Sequence, residues 1–250
     1  MIVTVQSDHE FCTKVHEAVT VILGKEVPNL AQLHEEVSAS EVNEVRLKLF
    51  RHLNADYDQN AALLSKPILS RLVSLLGPDL AIQTQINVSI HLPGDASSTL
   101  DAHSDTWSGE TPFQLNLWLA VSDCASTNSM FVFNEEETER FYKDMDVQGE
   151  CPSIEKLAAR RFIKLSSGEG VLFNPHLIHG NTTNDTAFTR VSCNVRFKGL
   201  FHPESSDSGL AIRARGNFFR PLTITENSAY ALSVLGISHQ APLLENDHVE

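Results

Sequence analysis

The chain has 250 residues, 42% of them hydrophobic and 20% charged, which is the composition of an ordinary soluble globular protein with room for one sizeable core. A formal net charge of −13 argues against a nucleic-acid backbone or an anionic membrane as partner, because both attract basic patches. A small-molecule substrate is the expected partner, and nothing in the sequence sets the oligomeric state.

Cys12, Cys124, Cys151 and Cys193 are scattered without a C-x-x-C pair, so neither a zinc knuckle nor a dense disulfide framework is indicated. Met1 to Val5 lack a basic leader, and no apolar run approaches the roughly 18 residues of a membrane span. A cytoplasmic location is the expectation.

The first 80 residues read as helical. Ser7 and Glu10 form a candidate capping box before Phe11, Val15, Ala18, Val19, Ile22 and Leu23, and Gly24 ends the run. Ser38 and Glu41 precede a second stripe, Val42, Val45, Leu49, Phe50 and Leu53. A third, from Leu64 to Leu76, is interrupted by Pro67 and stopped by Gly77-Pro78. These stripes are expected to be core, with the helices packed on the outside of a sheet.

From Ile82 the hydrophobic period changes to two. Ile82, Thr84, Ile86, Val88, Ile90 and Leu92 share one face of an expected strand, with Gln83, Gln85, Asn87, Ser89 and His91 on the other. In 114–121, Leu115, Leu117, Leu119 and Val121 oppose Gln114, Asn116 and Trp118; in 190–197, Val191, Cys193, Val195 and Phe197 oppose Arg190, Ser192, Asn194 and Arg196. The polar faces of the first two strands carry no Lys, Glu or Asp, which a solvent face usually has. A polar lumen follows, with the apolar face on helices. This suits a mainly β fold with flanking α, a double-stranded β-helix of jelly-roll, cupin-like type spanning 82–200. The alternative is an ordinary sandwich whose polar face is wet.

An insertion at about 134–166 contains an acidic helical run, Glu135 to Lys143, read as a solvated face or as a lid over the substrate. In the C-terminal extension, 201–250, Gly216 to Pro221 are expected to cover one barrel end, Glu226 to Leu235 to form a last helix, and the tail from Glu245 to fray. No linker divides the chain, so 1–250 is read as one domain.

The chemistry is carried by Ala102-His103-Ser104-Asp105-Thr106-Trp107. On a strand, His103 and Asp105 would aim an imidazole and a carboxylate at one point. A second histidine would complete the two-His, one-carboxylate set of non-haem Fe(II) oxygenases. His176 and His179 compete for that place, while His91 and His202 read as structural.

His103-Ser104-Asp105, the segment Gly168-Glu169-Gly170-Val171-Leu172-Phe173 leading to His179-Gly180, and Arg190-Val191-Ser192 together resemble the Fe(II)- and 2-oxoglutarate-dependent dioxygenases. The likeness is to the phytanoyl-CoA-hydroxylase-like superfamily and its members in carbohydrate and antibiotic gene clusters. The resemblance implies His179 as distal ligand, since Gly180 follows it and Arg190 lies eleven residues on. It implies that Fe(II) is held by His103, Asp105 and His179. Arg190 would pair with the far carboxylate of 2-oxoglutarate, Ser192 would add a hydrogen bond, and Asn116 would reach cosubstrate or substrate. It further implies that dioxygen oxidises a substrate while 2-oxoglutarate becomes succinate and carbon dioxide. Asp105 favours hydroxylation or another oxidation over halogenation, because related halogenases keep a small residue there.

Trp107, Gln85, Asn87, Trp118 and Arg196 are the candidate substrate contacts. An amide-rich lining with one or two aromatics suits a small polar metabolite such as a sugar, an aminocyclitol or a nucleotide-linked sugar. Arg196 is read either as a holder of an anionic substrate group or as a surface salt bridge. Two other function classes stand beside the oxygenase: a zinc hydrolase or isomerase on the same triad, which would not need Arg190-x-Ser192, and a non-catalytic cupin-like binding protein.

Overall fold

A computed structural model describes residues 1–6, 9–148, 161–203 and 218–245. Ser7, Cys151, Gly216 and Asn217, and with Ser7 the first capping box, lie outside the described residues. The elements are sheet-rich with flanking helices. The N-terminal part holds α1 (His9–Leu23), α2 (Val42–Ala55), α3 (Tyr57–Ser65) and α4 (Leu69–Leu76), with a short 3-10 helix over Leu30–Glu35. Gly24 and Gly77, at φ +66° and +88°, end α1 and α4 in the left-handed backbone region that favours glycine. Pro67 has no N–H to continue a helix, and the chain turns through a 3-10 step at Lys66–Ile68 between α3 and α4.

The N-terminus corrects the all-helical reading. Ile2–Gln6 is a strand, β1, at one edge of the main sheet, where it pairs antiparallel with β6 (Glu169–Phe173). The remaining strands are β2 (Leu80–Gln83), β3 (Asn87–His91), β4 (Gln114–Ala120), β5 (Phe131–Val132), β7 (His179–Gly180), β8 (Arg190–Gly199) and β9 (Phe219–Thr223). The seven-stranded antiparallel sheet runs β1-β6-β4-β8-β2-β9, with β3 paired to β8 beside β2, and stays open. β5 and β7 make a second, two-stranded sheet; isolated bridges join His103 to His179 and Phe131 to Phe162.

The expected single strand over 82–92 is two strands. The interruption at 84–86 has a physical cause outside the strand: Asn54 of α2 donates to the Ile86 carbonyl at 2.9 Å and accepts from the Ile86 amide at 2.9 Å. A side chain thus satisfies the backbone that a neighbouring strand would otherwise engage. Gln85, expected in the lumen, is exposed at this break.

β4 and β8 follow the period of two. Leu115, Leu117, Leu119, Val191, Cys193, Val195 and Phe197 join Phe11, Val15, Val19, Leu49, Leu64 and Leu72 in one core between sheet and helices. The opposite face meets a smaller cluster around Trp118, Met130, Val132, Leu165 and Phe173. Phe219 to Pro221, expected to cover a barrel end, instead belong to β9, the far edge strand beside β2. α5 (Glu135–Gln148) exposes Glu135, Glu136 and Glu139 and buries Phe141, and α6 (Glu226–Val234) is capped by the Thr225 hydroxyl accepting from the Ser228 amide. No helix among the described residues is long and apolar enough to cross a membrane.

Candidate metal centre and its chamber

His103 and Asp105 do not lie on one strand. His103 is held by an isolated bridge: its amide donates to the His179 carbonyl and the His179 amide to the His103 carbonyl, both at 2.9 Å. Asp105 opens a 3-10 turn, Asp105–Ser108, started by Ser104, whose hydroxyl accepts from the Thr106 amide. The Asp105 amide also donates to the Pro175 carbonyl, so the turn is tied to the segment that carries His179.

The bridge needs a residue without a side chain after His179. A Cβ at Gly180 would stand 2.7 Å from the Leu100 carbonyl oxygen and 2.9 Å from that of Asp101. The His-Gly pair therefore reflects close backbone approach at this point.

Both histidines are oriented alike. Nδ1 of His103 lies 2.7 Å from the Asp101 carbonyl, and Nδ1 of His179 lies 2.8 Å from that of Leu177. Donation from Nδ1 leaves each Nε2 with a free lone pair aimed inward. The two Nε2 atoms stand 3.5 and 3.7 Å from Asp105 Oδ1. One ligand atom from each of His103, Asp105 and His179 falls within 4.8 Å of the others, the kind of cluster that can hold a metal ion.

Asp105 Oδ2 is engaged elsewhere. It accepts from Asn116 Nδ2 at 2.6 Å and from Arg196 Nη2 at 3.4 Å. Arg196 also faces Glu110 at 3.2 Å and donates to Gln83 at 3.1 Å, so it is a largely buried clamp on Asp105 rather than a surface ion pair, and it lines the chamber described below. Burial alone would raise the Asp105 pKa, but the hydrogen bond from His103 and the charges of His179, Arg196 and His103 hold it well below the carboxylate range. Burial brings His179 down to about 4 against the opposing pull of Asp105. At His103, burial is outweighed by the bond to Asp105 and the value is raised. The carboxylate of Asp105 and the neutral imidazole of His179 are ready donors for a divalent cation, and a bound cation would take the place of the proton that His103 shares with Asp105.

His176 does not join them. It is exposed, and its ring stacks on Tyr142 with centroids 5.2 Å apart and planes inclined by 13°. Trp107 is 46% exposed and packs near Phe141 and Tyr142, outside the chamber.

The three candidate donors line a chamber of about 210 Å³ together with Asn116, Trp118 and Arg190. Arg190 is 2% exposed. Its Nη2 donates to Ser89 at 2.9 Å, while Nε and Nη1 have no partner among the described residues; the same holds for the Ser192 hydroxyl. The guanidinium stands 5.7 Å from the Trp118 ring centroid, and burial lowers its pKa to about 10, so it stays charged. A buried, charged and under-bonded guanidinium beside three metal-type donors fits a metal-chelating ligand whose far end is anionic. Donors and anchor therefore fit iron and 2-oxoglutarate.

Sequence reasoning missed Ser89 as a partner of Arg190, although both stood on lumen faces. It also missed Glu110 and the Arg196 contact to Asp105, for which the sequence holds no local signal. Asn87, on β3, lines an adjoining cavity together with Trp118 and Ser192.

An antiparallel β core with two histidines and a carboxylate converging beside a buried arginine defines the class of non-haem metal-dependent oxygenases. The chain belongs to the phytanoyl-CoA dioxygenase family, whose model matches residues 7–192. It is an Fe(II)- and 2-oxoglutarate-dependent oxygenase that uses iron, 2-oxoglutarate and dioxygen, and enzymes of this family act on small molecules. No curated protein matches the chain. Among solved structures it is similar to ThoJ, a non-heme monooxygenase, at TM-score 0.52 and 16% identity over 81% of this chain and 74% of that one. It is also similar to HygX from Streptomyces hygroscopicus solved with nickel and 2-oxoglutarate, at TM-score 0.51 and 13% identity over 81% and 84%. At such identities the likeness is one of fold.

Proposed function

We propose that the enzyme hydroxylates or otherwise oxidises a small polar metabolite of the sugar, aminocyclitol or nucleotide-linked sugar kind. In this reading His103, Asp105 and His179 hold Fe(II), and Arg190 with Ser192 and Ser89 binds the far carboxylate of 2-oxoglutarate. The observation that carries it is Arg190: a fully buried cation with two unpartnered nitrogens, lining the chamber of the three donors. A zinc hydrolase would gain nothing from that group.

When bound, iron and 2-oxoglutarate supply the oxidising chemistry, one oxygen atom going to the substrate and one to the succinate formed with carbon dioxide. The chain's own residues do the rest. His103 and His179 present Nε2 because their Nδ1 atoms are occupied, and Asp105 presents Oδ1 because Asn116 and Arg196 hold Oδ2. Arg190 fixes the orientation of the cosubstrate, while Phe173, edge-on to His179 at 4.9 Å, and Met130 keep that side of the chamber apolar. Asn87, Asn194 and Trp118, which line the adjoining cavity, would meet a hydroxyl-rich substrate.

The same reading takes the chain as one domain whose core, 82–200, is an open double-stranded β-helix of jelly-roll type. The large sheet, the β5-β7 pair and the bridges at His103 and Phe162 support it. Anaerobic titration of the Fe(II)-loaded enzyme with 2-oxoglutarate is expected to give the weak visible charge-transfer band of the chelate, retained in His176→Ala and absent in His179→Ala. Iron binding without a band in the wild type would refute the cosubstrate assignment, and equal iron loss in both variants would refute the distal ligand.

A further inference from the structure

The metal chamber adjoins a second cavity. Ser89, Leu100, Trp118 and Asn194 line it and also line a larger cavity of about 610 Å³. That cavity passes β3, which pairs only with β8 among the described residues, and reaches the surface of α2. Together the two spaces exceed what a simple sugar needs; clefts for small ligands run to ~300–1,000 Å³.

The chemistry of the outer cavity is uneven. Asn43, Asn87, Ser98 and Thr99 offer neutral hydrogen-bonding groups, and Trp118 offers an aromatic surface. Its lining has no carboxylate and a single cation, Arg46. In a chain of net charge −13 that is an unusual place for an unneutralised guanidinium. Among the described residues no carboxylate lies within salt-bridge distance of Arg46. Its Nε and Nη2 donate to Asn43 Oδ1 at 3.2 and 2.8 Å, one helical turn back, so a neutral oxygen orients the group without cancelling its charge. A planar cation so held on a cavity wall suits a phosphate or carboxylate.

We infer that the outer cavity is the substrate vestibule and that Arg46 binds an anionic group of the substrate, a phosphate or a carboxylate on a hydroxyl-rich body. The substrate would lie past β3 with its anionic end at α2 and its reacting end beyond Trp118, in the chamber. This rests on the oxygenase reading for the direction of the reacting end. The anion site itself needs neither iron nor 2-oxoglutarate.

The test uses the full-length chain with Trp107→Phe, which leaves Trp118 as the sole indole, since the chain has two tryptophans. Trp118 emission is followed in the metal-free protein during titration with glucose 1-phosphate, glucuronate and glucose. A saturable change is expected with at least one of the anionic sugars at concentrations where glucose gives none. Response to the phosphate alone assigns a phosphate, to glucuronate alone a carboxylate, and to both a general anion site. Arg46→Gln is expected to weaken the anionic probe about tenfold or more, Arg46→Lys to retain part of the affinity, and added salt to weaken it further. Equal binding of glucose, unchanged affinity in Arg46→Gln, or no saturable response to either anion overturns the inference. The charge-transfer titration is independent of this outcome, so failure of the anion site and failure of the oxygenase reading are told apart.

Discussion

Replacing Arg190 by Met separates a ligand-binding arginine from a structural one, because the two roles predict opposite signs. Burial lowers the guanidinium from an ordinary value of about 12.5 to about 10. A drop of that size corresponds to about 3 kcal/mol by which the folded, ligand-free protein disfavours the charged group at neutral pH. Against this stand one hydrogen bond to Ser89, worth about 1 kcal/mol, and the contact with Trp118, worth ~0.5–2 kcal/mol. Methionine fills much of the same volume without a charge to desolvate. The metal-free variant is therefore expected to be as stable as the wild type, or more stable by ~1 kcal/mol, in urea denaturation. Binding of 2-oxoglutarate should behave in the opposite way. Leaving its carboxylate unpaired in a buried site costs about 3–5 kcal/mol, which weakens binding by roughly two to four orders of magnitude. The anaerobic charge-transfer titration measures this while iron binding stays near its wild-type level. A variant that loses several kcal/mol of stability yet binds 2-oxoglutarate as before would refute the assignment.

Asn116→Ala removes the 2.6 Å bond to Asp105 Oδ2 and should weaken metal binding about 10- to 100-fold by chelator competition, with little change in 2-oxoglutarate affinity at saturating metal. The reverse pattern would mean that Asn116 holds the cosubstrate. In the metal-free protein His91, fully buried, has its pKa lowered to about 4 by burial first and by the Arg190 charge second, and His179 is lowered to about 4 by burial. Between about 6.5 and 4 the unfolded state binds these protons and the folded state does not, so stability is complete above about 6.5 and falls as pH drops towards 4. The contribution of His91 is up to ~3 kcal/mol, and His91→Gln should flatten the urea-stability profile over that window. An identical slope in wild type and variant would sink this account.

Elements whose structure depends on their own periodicity were legible in the sequence. The helical stripes and the alternation of β4 and β8 were, because each apolar face packs against the other in one core. What escaped depended on partners distant in sequence. β1 is a strand because β6, more than 160 residues away, offers it an edge, and the short β-branched run Ile2 to Val5 names no such partner. The 84–86 break depends on Asn54, on a helix. Gln85 fell on the wrong side for this reason: its place in an alternating pattern held only while the strand continued.

At the candidate metal centre the spacing pointed to two side chains that do converge, but by a route the chain does not take. His103 and Asp105 converge because a bridge fixes one and a 3-10 turn swings the other back, with Oδ1 of Asp105 reaching both Nε2 atoms. His179 was favoured over His176 through its glycine, and the fold gives that preference a cause. With a Cβ at 180 the backbone could not approach Leu100 and Asp101, and the reciprocal bonds that set the two histidines side by side depend on that approach. Arg196 shows the opposite limit. Its polar face was read correctly, but whether a guanidinium there meets a substrate or clamps Asp105 depends on where Glu110 and Gln83 arrive, from a loop and from another strand. Local spacing can bring ligands to one face; the charges that hold the remaining carboxylate oxygen are chosen by the closure of the whole site.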